Sequence, residues 1–431
     1  MSTQQVRFSN ASPACVNYQG GVNTITIACD ASFLDVLQAI HDPRIVEQEA
    51  EQRGQYILSA NLEVADGVNF QMTSNGDGLQ YLKLAGENGI IVYGKILIDG
   101  VKITSWDIAG EDVIPQDVNG TIRRAYVQFA GSEGAQILNS EFGYLGYDEP
   151  GRRGFDLYGS GGPSHDMQIR NSTFHDMWFA FYSNAAYNIV VDRSEYHHNL
   201  RYGLDPHTGT HDMNITNNYL HHNRYGAICS EDCYNILIEG NTAHNNTDAG
   251  IVFSRNMTNS IARNNHVYNA TTGISVSESP NNQIYNNTIE SATDVGILLF
   301  NPEVIDDGST EGNVVYDNVM SSSKDGVRAT NSHDNILENN TFDDIESSEY
   351  LLSLNSNVLI RGQIFDDALI AVSGSTTENH VEVVDSGVIE VTERPNEQEE
   401  ENETSSHNTD IQSYTKRMSD GDSIMINSQN L

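Results

Sequence analysis

The sequence predicts an all-β fold, a right-handed parallel β-helix, and three observations predict it. Glycines recur at Gly203, Gly226, Gly250, Gly273 and Gly296, in steps of 23, 24, 23 and 23 residues. Each opens a short stretch that alternates with period two: GLDPH, GAICS, GIVFS, GISVS and GILLF. Upstream of each lies an asparagine-led segment, such as NITNNYLHHN from Asn214 or NILIEGNTAHNN from Asn235. A fixed period in this range marks a solenoid whose coils stack and bury a common apolar column. Helical spacing is absent, and Asn, Asp and Gly break the runs into several strands per coil. Asparagine recurring at one place in each coil suits a stacked ladder of side chains at a turn.

The elements follow in order. Residues 1–56 form an N-terminal segment, within which residues 31–41 read as a short amphipathic helix with an Asp or Ser cap. That helix would cover the first coil and shield an open sheet end. Cys15 and Cys29 flank a short segment of this cap and could pair, whereas Cys229 faces inward and Cys233 sits in the following turn. With no CxxC motif, the cysteines point away from a metal site. Residues 57–390 form the β-helix, and 57–108 (YILSANLEV, GVNFQMTS, LQYLKLAG, GIIVYGKILI, GVKITSWDI) read as coils of less regular length. Residues 301–312 interrupt the period and should form a loop. From 391 to 431 the chain is acidic and poor in apolar residues, as expected of a disordered tail.

Strand alternation sorts the faces. With each glycine as position 1, positions 2 and 4 are small or apolar and face inward, as Leu204 and Pro206 do. Positions 3 and 5 face out, and in the first of these coils they are Asp205 and His207. Two earlier coils fit if Gly154 and Trp178 take position 1. One outward column is then Tyr158, Tyr182, His207 and Ser230, and Asp156 shares a column with Asp205. Arg201 and Arg224 precede tyrosines in adjacent coils.

The formal charge of −38 is extreme, and only 5 of the 22 basic residues are lysine. Such a surface suits a high-salt or marine setting, where self-repulsion is screened. No basic stripe exists to offset phosphate repulsion, so nucleic acid is not an expected partner. Residues 151–263 differ from the rest: 8 Arg, no Lys and 11 acidic residues, with 9 of the 14 histidines. A near-neutral, Arg-rich zone is where an anionic ligand would land, because a guanidinium grips both oxygens of a carboxylate. No stretch is long and apolar enough to span a membrane. The start, MSTQQVRFSNASP, has no hydrophobic signal core, so either the protein is cytoplasmic or an export signal has been removed.

Chemistry concentrates at Tyr202-Gly203-Leu204-Asp205-Pro206-His207. A lone surface Asp or His is usually a solvated side chain. Here Pro206 occupies an inward strand position, which costs a ladder hydrogen bond, and such local violations are expected at functional sites. This strand resembles the catalytic motif of mannuronan C5-epimerases, a family with secreted calcium-dependent modules and a periplasmic enzyme of alginate-producing bacteria. The likeness covers about residues 150–300, and the wider repeats resemble β-helical carbohydrate-binding and sugar-hydrolase proteins. It implies catalytic roles for Tyr202, Asp205 and His207. Its acidic residue after the histidine is replaced here by Thr208, and glycine–aspartate calcium repeats are absent, so Ca²⁺ is possible rather than required. The resemblance further suggests Glu231 or Asp232 in the next coil, His198 upstream, and Arg224 downstream. Arg201, Arg255, Tyr182, Tyr158 and Asp156 complete the substrate-binding candidates.

The implied reaction removes the C5 proton of a uronic acid in a polymer and returns one to the opposite face. Arg201, Arg224 or a protonated Asp205 could neutralise the sugar carboxylate, with His207 and Tyr202 as base and acid in either order. Tyr182 and Tyr158 could stack on neighbouring sugars. A polysaccharide lyase acting on alginate or pectin begins with the same abstraction, and a non-catalytic β-helical glycan- or metal-binding surface protein is the rival from another class. A pectinase-type hydrolase would need more paired aspartates. The doublets His197-His198 and His221-His222 invite a metal reading, with His198 and His221 as stacked neighbours, but no carboxylate or cysteine in the sequence completes a shell. The expected partner is an anionic polyuronate, the expected setting secreted, cell-surface or periplasmic, and the expected state a monomer.

Overall fold

The computed structural model of the chain describes residues 15–362, apart from residues 51, 303–308 and 354–356, together with short strands beyond residue 367. It comprises two compact units, Met1–Arg224 and Tyr225–Leu431. Both are built almost wholly of β-strands in a right-handed solenoid, with strands pairing in parallel from one coil to the next.

In the first unit the N-terminal strands Val16–Gln19 and Thr24–Ile27 form an antiparallel hairpin, and Cys15 and Cys29 are joined by a disulfide, as the spacing allowed. The one helix among the described residues is Phe33–Ala39, inside the expected span. Asp35 holds its start by accepting a 2.8 Å hydrogen bond from the Ser32 backbone N–H. Phe33 and Val36 are buried on its inner side.

Three ladders then build the coils. One runs Gly89–Val92, Tyr126–Phe129, Gly154–Leu157, Phe179–Asn184, Tyr202–His207. The second runs Lys95–Asp99, Gln136–Leu138, Gln168–Arg170, Tyr187–Asp192, His211–Thr216. The third runs Lys102–Trp106, Glu141–Gly143, Thr173–His175, Glu195–His197, Tyr219–His221. Their inner faces share a core in which Phe142, Phe174 and Tyr196 stack at 5.0 and 4.8 Å, one ring per coil. Burying each such ring contributes about 1.5–3 kcal/mol.

The expected asparagine ladders are present. In the first unit Asn199 donates its amide to Asn223 Oδ1 at 2.9 Å. In the second, buried Asn241, Asn265, Asn287, Asn318 and Asn340 form a run, each amide donating to the next at 2.9–3.0 Å. Each side chain also satisfies backbone groups at its turn, as where Asn265 Nδ2 donates to the Ile238 carbonyl. Left unpaired, such a buried group would cost about 1–3 kcal/mol.

The repeating glycine is the second residue of its strand, not the first, as in Ala249–Ser254 and Thr272–Ser277. Close packing requires it: a Cβ on Gly250 would lie 2.3 Å from Val267 Cγ1, and one on Gly273 would lie 2.5 Å from the Gly296 carbonyl oxygen. The heart of the interrupting segment, 303–308, lies outside the described residues. So does most of the acidic stretch after 391, where the strands Ser413–Arg417 and Ser423–Ile426 are described.

Candidate active site

Register on the first ladder decides which side chains meet. Asp156 pairs with Tyr182, Tyr182 with Asp205, and Asn184 with His207. The outward column is therefore Asp156, Tyr182, Asp205. This corrects the expected frame. Trp178 does not take the glycine position; Ala180 does, because Tyr182 lies level with Asp205. Tyr182 thus belongs beside the aspartates, and Asn184 stands beside His207. Tyr158 lies just past the strand Gly154–Leu157 and is 41% exposed.

Aromatic rings line this surface in sequence. The Tyr202 ring meets Phe179 edge-on at 4.9 Å, Phe179 meets Tyr182 at 5.9 Å, and Tyr182 lies 5.4 Å from the His207 imidazole. Tyr202 and His207 thus stand at the two ends of the row, five residues apart on an extended strand. Both are half-buried.

Arg153, which periodicity did not single out, reaches the same place. Its guanidinium carbon lies 4.0 Å over the Tyr182 ring, 5.8 Å from Tyr158 and 6.0 Å from Phe179. Its Nη1 donates to Asp156 Oδ2 at 3.4 Å. The sequence signal was available: Arg153 precedes Gly154 as Arg201 and Arg224 precede their coils, and Phe179 N–H donates to the Arg153 carbonyl as Arg201 N–H does to that of Trp178. Burial pushes the Asp156 carboxyl up to about 6 against the pull of Arg153, and its Oδ1 is buried without a hydrogen bond. Burial also raises the Tyr182 phenol, with Asp205 and Asp156 adding to the shift and Arg153 opposing it. Asp205 itself is 1% exposed although its column faces outward.

His207 is held by its neighbour. Its Nδ1 lies 2.6 Å from Thr208 Oγ1, and its carbonyl accepts from Thr210 Oγ1 at 2.8 Å. Thr208 has φ +42°, a left-handed conformation that is costly for a β-branched residue. If Nδ1–H donates to Thr208, Nε2 is left as the acid–base atom.

The remaining candidates are distributed. Arg201 lies with its guanidinium 4.7 Å from the Trp178 ring, and exposed Arg224 follows it, donating its backbone N–H to the Arg201 carbonyl. In the second unit Arg255 does not stand as an isolated cation: it donates to Glu231 at 2.8 Å, and Asp232 accepts from Asn256 at 2.7 Å. Those two acids occupy left-handed turn positions, with φ +59° and +60°.

His198 belongs to a separate histidine group on the third ladder. His175, His197 and His221 stack ring on ring at 5.2 and 5.1 Å, and His198 stacks on His222 at 4.7 Å. His198 and His221, expected to stack, instead meet edge-on at 6.0 Å because they occupy turn and strand positions respectively. Burial opposes a charge on His175, but Asp176 and Glu141 outweigh it and raise its imidazole to about 9. Burial and the charge on His175 push His197 down to about 4.

These coils and the ionisable column of Asp156, Tyr182 and Asp205 define a right-handed β-helix protein with a polar site on a strand ladder. The chain belongs to the right-handed β-helix family, described as "Right handed beta helix region", which matches residues 88–258 and 153–304. Its curated relatives bear the name to which the Tyr202–His207 motif pointed. It is 27% identical over 236 residues to a mannuronan C5-epimerase of Pseudomonas putida, covering 52% of this chain and 45% of that protein. It is 27% identical over 251 residues to one of Pseudomonas syringae pv. tomato, covering 55% and 46%. The match thus spans about half the length of these relatives. Among solved structures, it resembles the periplasmic alginate epimerase AlgG with a TM-score of 0.62 at 20% identity, over 86% of this chain and 84% of that one. It resembles the A-module of the Azotobacter vinelandii epimerase AlgE6 with a TM-score of 0.53 at 17% identity, over 72% and 88%. At that identity the structural likeness shows the fold.

Proposed function

We propose that the protein is a polyuronate C5-epimerase that converts β-D-mannuronate to α-L-guluronate within the polymer. One observation carries the reading: Tyr202, Asp205 and His207, on the strand that resembles the epimerase motif, stand beside Tyr182 of the neighbouring strand, on whose ring Arg153 stacks. The names of the relatives support the same chemistry.

The C5 proton of a uronate is weakly acidic because its removal adds a second negative charge beside the C6 carboxylate. Arg153 is the cation best placed to neutralise that carboxylate, with Asp205 donating a hydrogen bond when protonated. Losing one such preorganised partner typically costs about 10²–10³ in rate. A neutral imidazole suits the base at neutral pH, and a phenol, protonated up to about pH 10, suits the acid. His207 Nε2 therefore takes the C5 proton from one face, and Tyr202 delivers its proton to the other. The imidazolium then loses its proton to water, and the phenolate regains one. Tyr158 offers an exposed ring for a neighbouring sugar. The partner is an anionic polysaccharide, the resting state a monomer, and no bound ion enters these steps. The Cys15–Cys29 disulfide favours an oxidising, exported setting.

Incubation with polymannuronate tests the assignment. Guluronate signals in the proton NMR spectrum without a fall in chain length support it. Shortened chains with UV-absorbing unsaturated ends would make the protein a lyase instead.

A further inference from the structure

Among the described residues, the His, Cys, Asp and Glu side chains that could converge on an ion are His198, His221 and His222. One ring nitrogen from each lies within 4.8 Å of the others. They sit on and just after the third ladder, a different face from the Tyr202–His207 strand. We propose that these three imidazoles bind a borderline divalent transition metal, of the Zn²⁺ or Cu²⁺ class.

Donor type sets the class. Imidazole nitrogens favour zinc, copper and nickel, whereas Ca²⁺ and Mg²⁺ require oxygen ligands. Spacing agrees. Metal–nitrogen bonds of about 2.05 Å put adjacent donors about 2.9 Å apart at a right angle and about 3.3 Å apart at a tetrahedral one. His221 Nδ1 and His222 Nδ1 are 2.7 Å apart, already near that range. Two imidazole nitrogens this close share a proton, and a cation can take its place. The third donor comes from the preceding coil, where His198 stacks on His222 at 4.7 Å. A tilt of exposed His198 closes the remaining ångström or so.

The surroundings supply what a ligating histidine needs behind it. His221 Nε2 lies 3.0 Å from Glu195 Oε1. That carboxylate fixes the ring and its tautomer, leaving Nδ1 to face an ion, the usual supporting arrangement in metal sites. His198 Nδ1 lies 2.9 Å from His197 Nδ1, the same contact that His222 makes with His221 one coil on.

The turn that carries two of these histidines keeps one left-handed conformation from coil to coil. His198 and His222 have φ +54° and +55°. In the second unit the residues that follow strands of the corresponding ladder include Asn245 and Asn269, at φ +51° and +53°, and Ser291, Ser322 and Asp344, at φ +55°, +49° and +52°. Asparagine is the residue a left-handed turn favours.

The same comparison provides a variant that keeps the backbone. His198→Asn/His222→Asn places the turn-favoured residue at both positions, so its fold should be retained by circular dichroism. In calorimetric titrations of the full chain with Zn²⁺, wild type should bind one equivalent at micromolar or tighter affinity, and the double variant at least 30-fold more weakly. With Cu²⁺, the electron paramagnetic resonance spectrum of wild type should show splitting from three nitrogens. On the wild-type protein alone, Zn²⁺ should protect His198 and His222 from diethyl pyrocarbonate. Equal Zn²⁺ binding by wild type and variant, no binding by wild type, or modification of both histidines unaffected by Zn²⁺ would overturn the proposal. An unchanged affinity with Ca²⁺ competing in excess is expected; displacement by Ca²⁺ would contradict it.

Discussion

Arg153 stacks its guanidinium 4.0 Å above the ring of Tyr182, which pairs in register with Asp205 one coil on. A cation thus rests beside the buried Asp156 carboxylate and on the ring that stands level with buried Asp205, on the face where an anionic sugar would lie. Lysine keeps the charge but loses the planar fork and the stacking. Arg153→Lys should therefore lower kcat on polymannuronate by roughly 10–100-fold, and Arg153→Ala by more. NMR rate measurements check this; wild-type rates in Arg153→Ala would remove Arg153 from the mechanism.

Thr208 stands where the epimerase motif carries an acid, and its hydroxyl contacts His207 Nδ1 at 2.6 Å. Thr208→Val keeps the branched shape but removes the hydrogen bond. The imidazole then loses its fixed tautomer, so kcat should fall about ten-fold with KM little changed, as for an interaction made mainly in the transition state. Thr208→Ser should recover most of the loss. A valine variant whose pH–rate profile overlies that of wild type would show that the contact does not orient the base.

Asp156 combines burial with a carboxyl raised to about 6. The folded state then holds its proton more tightly than the unfolded chain, whose pKa is near 4, so stability falls as pH rises from about 4 to 6. Asp156→Asn removes that cost. Its Tm should exceed that of wild type at pH 7 and match it at pH 4, while activity drops. Stability traded against function in this way is expected of a substrate-facing charge. Equal Tm differences at both pH values would argue against a raised carboxyl.

In the Glu141–His175–Asp176 group the imidazole acts in the same direction at higher pH, and Glu141 in the opposite one. The imidazole is raised to about 9, so its contribution is complete below pH 6.5 and is lost as pH climbs through 9. Glu141 is lowered to about 2, first by its hydrogen bond to His175, so its contribution is present above pH 4.5 and fades toward pH 2. Thermal unfolding should show Tm falling between pH 6.5 and 9.5, and His175→Gln should flatten that fall.

Much of this was readable from the chain. The glycine period, the asparagine runs and the capping helix are local signals that the fold repeats coil after coil, so Gly203, Asn199 and Ser32 announce their roles. Columns were harder. The coil between Gly154 and Gly203 has Ala180 where its neighbours have glycine, and taking Trp178 as the marker slipped the frame by two residues. A slip of two keeps every side chain on its correct face but moves it to the wrong neighbour. Tyr182 was therefore rightly placed outside but is level with Asp205 rather than His207, although its ring still reaches the imidazole. Arg153 was missed although it precedes Gly154 as Arg201 and Arg224 precede their coils, because its reach over the Tyr182 ring is a contact between coils that sequence spacing does not show. The pairing of Arg255 with Glu231 was hidden because charge partners a coil apart are separated by 24 residues in sequence.

The central claim is that His207 and Tyr202 exchange the C5 proton of a bound uronate. The most direct measurement is solvent deuterium incorporation into polymannuronate, comparing wild type with His207→Asn and Tyr202→Phe. Wild type should place one deuterium at C5 of each guluronate formed, and both variants should lose at least a thousand-fold of that rate while remaining folded. Wild-type incorporation at an unchanged rate in either variant, or none by the native protein on any polyuronate, would contradict the account.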